Sequence, residues 1–262
     1  MTDTAVEKAG RGPDFVQSLE RGLSVIRCFD EASPAMTLSD VARATGLTRA
    51  AARRFLLTLV ELGYMRTDGR LFSLRPRVLD LGYAYLSSLS LPQVAGPHME
   101  RLVEQVHESC SLSVLDGDEV VYVARVPSKR IMTVAISVGT RFPAYATSMG
   151  RVLLASTEPD WLEEYLRTVQ MRPLTRRTLT DADKLRTVLR RVRSQGFCLV
   201  DEELEEGLRS IAVPVRDRSG SVVAACNVSA RTSRGSADAI RTELLPPLQA
   251  VAQSIQEDLG ER

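Results

Sequence analysis

Apolar positions recur at helical spacing in three stretches near the start of the chain. Residues 15–29 predict one helix, residues 38–44 a second and residues 49–62 a third. Gly46 separates the last two helices and can adopt the left-handed conformation that ends a helix. Thr48 is the expected N-cap of the third helix. A helix, a glycine turn and another helix form a helix-turn-helix arrangement, whose second helix enters the major groove of DNA.

The third predicted helix is uneven along its length. Its front carries Arg49, Arg53 and Arg54 with no acidic residue before Glu61, and its later turns are mainly apolar. Such a helix can bury its rear in a core while its front reaches a phosphate backbone. The alternative is that two amphipathic helices joined by a glycine turn serve another fold, in which surface arginines are simply solvated.

A hairpin is predicted directly after the third helix. Residues 62–74 form two short runs around Asp68-Gly69, a dipeptide favoured in tight hairpin turns. Arg66 and Arg70 flank this turn. A hairpin in this position is the wing of a winged helix, and its basic tip suits a neighbouring DNA backbone or minor groove. The DNA-binding hypothesis therefore assigns contacts to Thr37, Thr48, Arg49, Arg53, Arg54, Arg66 and Arg70.

The rest of the chain changes from helical to strand patterns. Residues 77–89 predict a helix with an apolar stripe, which either packs on its own domain or pairs with the same helix of a second subunit. Residues 92–97 predict a short linker. Helices are then predicted at 98–110, 149–156, 161–168, 181–195 and 237–259, the last interrupted at Pro246-Pro247, and strands at 111–115, 119–126, 131–138, 197–200, 209–215 and 221–229. Helices flanking a largely antiparallel sheet make this region an α+β domain.

Composition narrows the classes of function. The 262 residues carry a formal net charge of only +1, so any DNA affinity must come from a local cluster of cations. The four cysteines form no CxxC pair, and His98 and His107 do not share a helix face, so we predict no metal site and no cofactor. The sequence shows no secretory signal and no apolar run of membrane-spanning length, which favours a cytoplasmic protein without a membrane partner.

Three strings carry a resemblance to a known family: QSLERGL at 17–23, ATSMGR at 146–151 and EGLRSIAVPV at 206–215. With a helix-turn-helix, a wing, a linker helix and an α+β domain in this order, the chain resembles the IclR family of bacterial transcriptional regulators from about Phe15 to its C-terminus. The arginine-rich stretch at 48–64 and the linker at 74–92 look most like the branch that regulates aromatic-acid catabolism through the β-ketoadipate pathway.

The resemblance implies a two-domain protein, with an N-terminal winged helix-turn-helix that is mainly α and a C-terminal α+β effector domain with a GAF-like fold. The expected organisation is a disordered arm at 1–14, a DNA-binding domain at 15–75, a linker and dimerisation helix at 76–91, and an effector-binding domain at 92–262. The expected partners are double-stranded operator DNA, a small carboxylic or aromatic acid effector, and further copies of the chain, as a homodimer or as a tetramer on DNA.

The resemblance also implies an effector pocket formed by Ser148, Met149, Ser210, Asn227 and Ser229. From the residues alone, Ser148 is a natural N-cap for the helix at 149–156, whose first backbone amides suit a carboxylate. The alternative is that Ser148 only caps a structural helix. Asn227 and Ser229 share one face of a predicted strand, as a polar pocket wall requires.

A second hypothesis belongs to another class of function. Here the C-terminal domain is a small-molecule enzyme, and the winged helix is an accessory module for protein contacts. Ser148 would be its nucleophile, but neither histidine is near it in sequence, which argues against a Ser-His-acid triad. The carboxylates at 201–206 are interpreted as a solvated acidic loop rather than a metal or acid-base site.

Overall fold

The protein, represented by a computed structural model, is described at residues 12, 14–81, 90–128 and 136–260. Its chain divides into two units, residues 1–85 and 86–262. Three expectations from the sequence fall wholly or partly outside the described residues: the disordered arm at 1–14, the linker helix at 76–91 and the strand at 131–138.

The first unit contains a helix-turn-helix followed by a small antiparallel sheet. Its elements are α1 (Gln17–Arg27), β1 (Ala35–Thr37), α2 (Leu38–Thr45), α3 (Arg49–Glu61), β2 (Met65–Thr67) and β3 (Leu71–Leu74). The strands pair in the order β1-β3-β2. The predicted helix-turn-helix and the predicted hairpin are both confirmed, since Gly46 adopts a φ of +66° at the end of α2 and Gly69 a φ of +94° in the hairpin turn.

Strand β1 was not expected from the sequence, where Ser33-Pro34 indicated only a break between helices. Its three residues pair with β3, from Ala35 opposite Ser73 to Thr37 opposite Leu71. So short a strand cannot show an alternating pattern of its own, and its partner lies far along the chain. The sheet therefore becomes visible only in the folded unit.

The apolar rear of α3 packs into the core of the first unit. Ala52, Leu56 and Leu59 are the buried residues of α3. They join the buried side chains of the neighbouring elements, which are Val25, Phe29, Val41, Ala42, Met65 and Phe72. Burying apolar surface stabilises the folded state by about 25 cal/mol per Å². This contribution holds the apolar face of α3 in the core. The basic front of the helix is left exposed, as the uneven sequence of α3 predicted.

The segment after the wing begins as a 3₁₀ turn at Pro76–Leu79, where an α-helix starting at residue 77 was predicted. Arg77 lies in this turn, and its Nη1 donates to the carbonyl of Leu62 at 2.9 Å. Its guanidinium also lies over the ring of Tyr64, 5.3 Å from the centroid. The side chain thus satisfies a carbonyl just after the end of α3, where the helix leaves carbonyls without intrahelical donors.

The second unit is an antiparallel sheet with helices on both faces, which confirms the predicted α+β class. Its elements are α4 (Ser90–Val106), β4 (Ser109–Asp116), β5 (Glu119–Val126), β6 (Arg141–Pro143), α5 (Ser148–Leu154), α6 (Pro159–Thr168), α7 (Ala182–Gln195), β7 (Cys198–Asp201), β8 (Leu208–Arg216), β9 (Val222–Arg231) and α8 (Ala237–Gly260). The strands pair in the order β6-β5-β4-β9-β8-β7.

The two faces of this sheet carry different side chains. On one face, Leu112, Cys226 and Val228 pack with α4 and α8 in an apolar core. On the other face, Ala212 and Ala225 pack with α5, α6 and α7. Strand residues alternate between the faces, so the polar residues next to Cys226 and Val228 must lie on the α5 side.

Proline positions were misjudged from the sequence. Residues 92–97 were predicted as a linker but form part of α4, and α8 continues through Pro246-Pro247 without the predicted interruption. Proline in a helix interior removes a backbone hydrogen bond. In both helices that cost is offset by core packing around the prolines, through Leu91, Val94, Ala95 and Met99 in α4 and Leu244, Leu248 and Ala252 in α8. Neither these nor the other helices in the described ranges are long and apolar enough to cross a membrane.

Candidate nucleic-acid interface and effector site

Helix α2 begins at a capping box. Thr37 Oγ1 accepts from the amide of Asp40 at 3.3 Å and donates to Asp40 Oδ2 at 2.6 Å. The Asp40 carboxylate also accepts from the amide of Thr37. These hydrogen bonds from Thr37 lower the pKa of Asp40 below its usual value. The hydroxyl of Thr37, a predicted DNA contact, is therefore already engaged within the chain.

Helix α3 presents its basic front to solvent. Thr48 is its N-cap, as predicted, and accepts from the amide of Ala51 at 3.3 Å. The first turn has no acidic residue. Arg49, Arg53 and Arg54 are exposed, and within the described part of the chain no carboxylate pairs with them. A capped helix N-terminus beside unpaired guanidinium groups is suited to phosphate.

The wing has a rigid turn and a basic surface. Asp68 Oδ1 accepts from the amides of Arg70 and Leu71 at 2.9 and 2.7 Å. These backbone hydrogen bonds lower the pKa of Asp68. Arg66 is exposed and donates through Nε to Ser73 Oγ at 3.0 Å across the hairpin, which leaves its other nitrogens outward. Arg70 is exposed in the turn itself.

Strands β4, β8 and β9 bring a row of polar side chains together on the α5 side of the sheet. Asn227 lies opposite Ser111 on β4 and opposite Ala212 on β8. Ser229 lies opposite Ser109 and Ser210 in the same way. Ser109, Ser111, Asn227 and Ser229 are all buried. Buried polar groups need hydrogen-bonding partners, and such a row is unusual in a protein core, so this face is the candidate effector site.

Helix α5 covers this row, and its start differs from the prediction. Thr147 caps the helix, with its Oγ1 accepting from the amide of Gly150 at 3.0 Å, so the prediction that Ser148 is the N-cap is wrong. Gly150 lies against the turn formed by residues 144–146, where an added Cβ would stand 2.2 Å from the carbonyl oxygen of Ala144. This close approach requires a glycine where α5 passes the turn at 144–146.

With Thr147 as the cap, Ser148 is free for another contact. Its Oγ lies 2.8 Å from Ser210 Oγ, which joins α5 to β8. Met149 is fully buried, and its Sδ accepts from Ser113 Oγ at 3.2 Å. The structure thus brings Ser148, Met149 and Ser210 into one region, in contact with one another or with β4.

Asn227 supplies a buried acceptor on the same face. It is 3% exposed, and its Nδ2 donates to Ser229 Oγ at 3.2 Å. Its Oδ1 has no hydrogen-bonding partner among the described residues. An unsatisfied buried acceptor costs about 1–3 kcal/mol, so a ligand that donates a hydrogen bond there gains by relieving that cost.

Arg125 was not singled out from the sequence, yet it belongs to this face. Residue 125 lies opposite Ser111, and Arg125 Nη1 donates to Ser111 Oγ at 3.4 Å. Burial lowers the pKa of Arg125 from its ordinary value, and the group remains a cation at neutral pH. Small polar residues alternate at Ser109, Ser111 and Ser113 on the neighbouring strand, but this pattern alone does not identify Arg125, which joins the face through the pairing of β4 with β5.

A buried ion pair holds α5 to the loop before β8. Arg151, 3% exposed, donates through Nη1 and Nη2 to the two carboxylate oxygens of Glu203 at 2.7 and 2.6 Å. Its Nε donates to the carbonyl of Tyr145, and Glu203 also accepts from the amide of Leu179. The acidic stretch at 201–206 is therefore not simply solvated, since Asp201 likewise pairs with Arg209.

The arrangement does not form a nucleophilic triad in the described residues. Ser148 Oγ is bonded to Ser210, whereas His98 Nε2 lies 2.7 Å from Asp258 Oδ2 and its Nδ1 lies 2.8 Å from Arg101. A winged helix with unpaired cations and a separate domain with a buried polar site define a class of protein: a DNA-binding transcriptional regulator with an effector domain.

Comparison with known proteins gives the family. Two protein-family models match the chain. The family model for the C-terminal domain of bacterial transcriptional regulator IclR matches residues 83–257, and the family model for the IclR helix-turn-helix domain matches residues 18–69. The chain belongs to the IclR family. Members of this family are transcriptional regulators, so the chain is a regulator and the enzyme hypothesis is not favoured.

Three relatives extend the comparison. The chain is 46% identical to the Pca regulon regulatory protein of Pseudomonas putida, over 94% of this chain and 85% of that one. It is 37% identical to the p-hydroxybenzoate hydroxylase transcriptional activator of Acinetobacter baylyi, over 94% of this chain and 93% of that one. The crystal structure of an IclR homologue from Microbacterium hydrocarbonoxydans complexed with 4-hydroxybenzoate superposes with a TM-score of 0.82 at 29% identity, over 92% of this chain and 98% of that one.

Proposed function

We propose that this regulator controls genes of aromatic-acid catabolism, in the β-ketoadipate pathway, by binding operator DNA and responding to a small aromatic or carboxylic acid. The observation that carries the proposal is the combination of two features in one chain. Exposed arginines on α3 have no carboxylate partner among the described residues, and a buried polar face lies beneath α5. The relatives named for the Pca regulon and for p-hydroxybenzoate hydroxylase support the pathway, and the homologue with bound 4-hydroxybenzoate supports the class of effector.

For DNA, α3 enters the major groove with Arg49, Arg53 and Arg54, and the wing places Arg66 and Arg70 on the neighbouring backbone or minor groove. Thr48 donates its hydroxyl to a phosphate, since the hydrogen bond it makes in the chain uses it only as an acceptor. Thr37 contributes by holding α2 in its capping box, because its hydroxyl is engaged with Asp40. These five exposed arginines supply the local cations that a chain of net charge +1 needs to bind a polyanion.

For the effector, the acid lies on the sheet face beneath α5. Its carboxylate is bound by the guanidinium of Arg125 and the hydroxyl of Ser111, because charge-assisted hydrogen bonds are the strong ones in a partly buried site. A hydroxyl on the ligand donates to Asn227 Oδ1, which accepts no hydrogen bond from the residues that the structure describes. Ser148, Met149, Ser210 and Ser229 form the remaining wall.

The functional unit is a homodimer that associates as a tetramer on DNA. Helix α1 and the residues before it expose a run of large apolar side chains, which are Phe15, Val16, Leu19 and Leu23. Leu79 and Leu81, at the start of the linker, are also exposed. A second copy of the chain that covers these side chains removes them from water and presents a second α3 to the operator. Sedimentation as a monomer at micromolar concentration contradicts this assembly.

The regulator acts in the cytoplasm, where bacterial operator DNA is found. Residues 76–91 connect the DNA-binding unit to the effector unit, so a ligand that favours one state of the effector domain changes the placement of two recognition helices in a dimer. The ligand must bind the two states with different affinity to have this effect.

The DNA assignment is tested by the salt dependence of operator binding. Arg53→Ala and Arg54→Ala each remove a phosphate contact, so binding weakens and the slope of log K against log salt falls by about one for each. Arg218→Ala, an exposed arginine in the second unit, is the matched control and leaves both quantities unchanged. Wild-type affinity and slope in both α3 variants refute the role of α3.

The effector assignment is tested by calorimetry of the full chain with 4-hydroxybenzoate and benzoate. Arg125→Gln weakens binding of both acids about tenfold or more, because a hydrogen bond to a charged group is worth about 1.5–3 kcal/mol. Asn227→Leu weakens only 4-hydroxybenzoate. Arg218→Gln is the control. Equal affinity of wild type and Asn227→Leu for 4-hydroxybenzoate contradicts the assigned acceptor.

A further inference from the structure

Leu57 differs from its neighbouring leucines in α3. Leu56 and Leu59 are buried in the core of the first unit, whereas Leu57 is 40% exposed. Single exposed leucines are common on protein surfaces, so exposure alone says little. What distinguishes Leu57 is the set of side chains around it.

Leu57 lies in the middle of the basic face of α3. It follows Arg53 by four residues and Arg54 by three, and side chains at these spacings are neighbours on a helix surface. Thr58, the next polar residue, donates its hydroxyl to the carbonyl of Arg54 at 2.8 Å, so it is engaged within the helix. An apolar side chain thus projects between two guanidinium groups that have no carboxylate partner among the described residues.

In the proposed docking, the face of α3 that carries Arg53 and Arg54 lies against the duplex, and Leu57 belongs to the same face. The base edges in the major groove present hydrogen-bond donors and acceptors and one apolar group, the C5-methyl of thymine. A leucine between two phosphate-binding arginines is complementary to that group alone.

We propose that Leu57 selects a thymine in the operator by packing its side chain against the C5-methyl group. This inference rests on the proposed placement of α3 in the major groove. In this arrangement Arg53 and Arg54 provide affinity for any duplex, and Leu57 adds preference for one base without forming a hydrogen bond. Leu57 is then a specificity-determining residue, although the pattern of basic residues on α3 does not by itself indicate it.

The test uses an operator duplex selected from random sequence with the wild-type chain. Each thymine is replaced in turn by deoxyuridine, which keeps the base pair and removes only the methyl group. For the wild type, replacement of one thymine weakens binding about fourfold, the factor for one buried methyl group. For Leu57→Ala, binding to the thymine duplex is weaker and the same replacement has no further effect.

Leu62→Ala is the matched control, because Leu62 is also an exposed leucine but follows the end of α3. It retains the wild-type response to deoxyuridine. Leu57→Ala keeps the wild-type salt slope, because no phosphate contact is lost. A wild-type chain insensitive to every thymine replacement, or a Leu57→Ala chain that keeps the response, overturns the inference. If Arg53→Ala and Arg54→Ala leave DNA binding unchanged, both the placement of α3 and the role of Leu57 are wrong. If the arginine variants weaken binding but Leu57→Ala keeps the response to deoxyuridine, only the role of Leu57 is wrong.

Discussion

The arginines of α3 and the buried arginine of α5 have opposite surroundings. On α3, Arg49, Arg53 and Arg54 are exposed, and among the described residues no carboxylate approaches them. In the second unit, Arg151 is buried and both of its terminal nitrogens are bonded to Glu203. The same side chain therefore serves two purposes. Left unpaired at the surface, it is available to a polyanion, whereas paired in the interior it fixes the position of a helix.

The difference shows that some arginines of this chain contribute to stability, whereas others are available for binding. Surface ion pairs contribute little to folding, and leaving them out of α3 costs little stability while keeping the charges for DNA. Removing one partner of a buried ion pair leaves the other charge without compensation in the protein interior. Loss of a carboxylate partner in the second unit therefore lowers the free energy of unfolding strongly. Substitutions in both units test this difference.

The largest effect is expected for Glu203→Ala. It leaves Arg151 buried without its carboxylate, which lowers the free energy of unfolding of the second unit by about 3–5 kcal/mol. Glu206→Ala, in the same loop but exposed, changes it by less than about 0.5 kcal/mol. Urea denaturation followed by the fluorescence of Trp161 measures both. Equal midpoints for the two variants contradict a structural role of the buried pair.

A smaller effect is expected for Gly150→Ala. The new methyl group meets the carbonyl of Ala144 at 2.2 Å, so α5 must move away from the turn below it. Overpacking of this kind costs about 1–3 kcal/mol, and the Tm falls by roughly 2–4 °C per kcal/mol for a domain of this size. Effector affinity falls with it, because Ser148 and Met149 shift.

The control for this variant is Gly96→Ala in α4, where an added Cβ meets nothing within 4 Å. Alanine is the better helix former by about 1 kcal/mol, so this variant keeps or raises the Tm. A Gly150→Ala protein with wild-type Tm and effector affinity shows that α5 tolerates displacement.

The smallest effect is expected in the first unit, at Asp40. Its pKa is lowered by the hydrogen bonds from Thr37, so the folded state favours the carboxylate. The stability from this capping box is present above the unfolded pKa of about 3.8 and is lost as the pH falls through the lowered folded value. Asp40→Asn therefore lowers the Tm at pH 7, and the difference from wild type shrinks in acid.

Glu31→Gln, at an exposed position in the loop before β1, is the control for this pH dependence and leaves the Tm unchanged. If the Tm difference between wild type and Asp40→Asn stays constant from pH 7 to pH 2, the assigned role of the carboxylate is wrong. Circular dichroism during heating is sufficient for the comparison.

Local chemistry made much of the first unit predictable. The cap at Thr48, the left-handed Gly46 and the Asp68-Gly69 turn are each decided by the residue itself and its nearest neighbours. The opposite was true of β1, the helical prolines and the cap of α5. For β1 and the prolines a distant segment decided the outcome, through strand pairing or core packing. For α5 the chain offers two neighbouring candidates, and Thr147 rather than Ser148 is the cap.

The effector site shows the same division. The alternation along β9 correctly placed Asn227 and Ser229 on one face, because strand geometry is local. Arg125 and Ser111 could not be added from the sequence, because they reach that face through the pairing of β4 with β5 and β9. Pairing register is a tertiary property, and a shift by one residue would move every side chain to the other face.

By itself, the sequence determined the two-domain order, the helix-turn-helix and wing, and the concentration of arginines at the front of α3. These follow from periodicity, caps and turns that act over a few residues. Only the tertiary structure decided which polar groups are buried together and that Arg151 is held by Glu203. It also decided that Asn227 Oδ1 has no hydrogen-bonding partner within the described part of the chain. Burial and hydrogen bonding between distant segments depend on how the elements pack, and no local pattern encodes them.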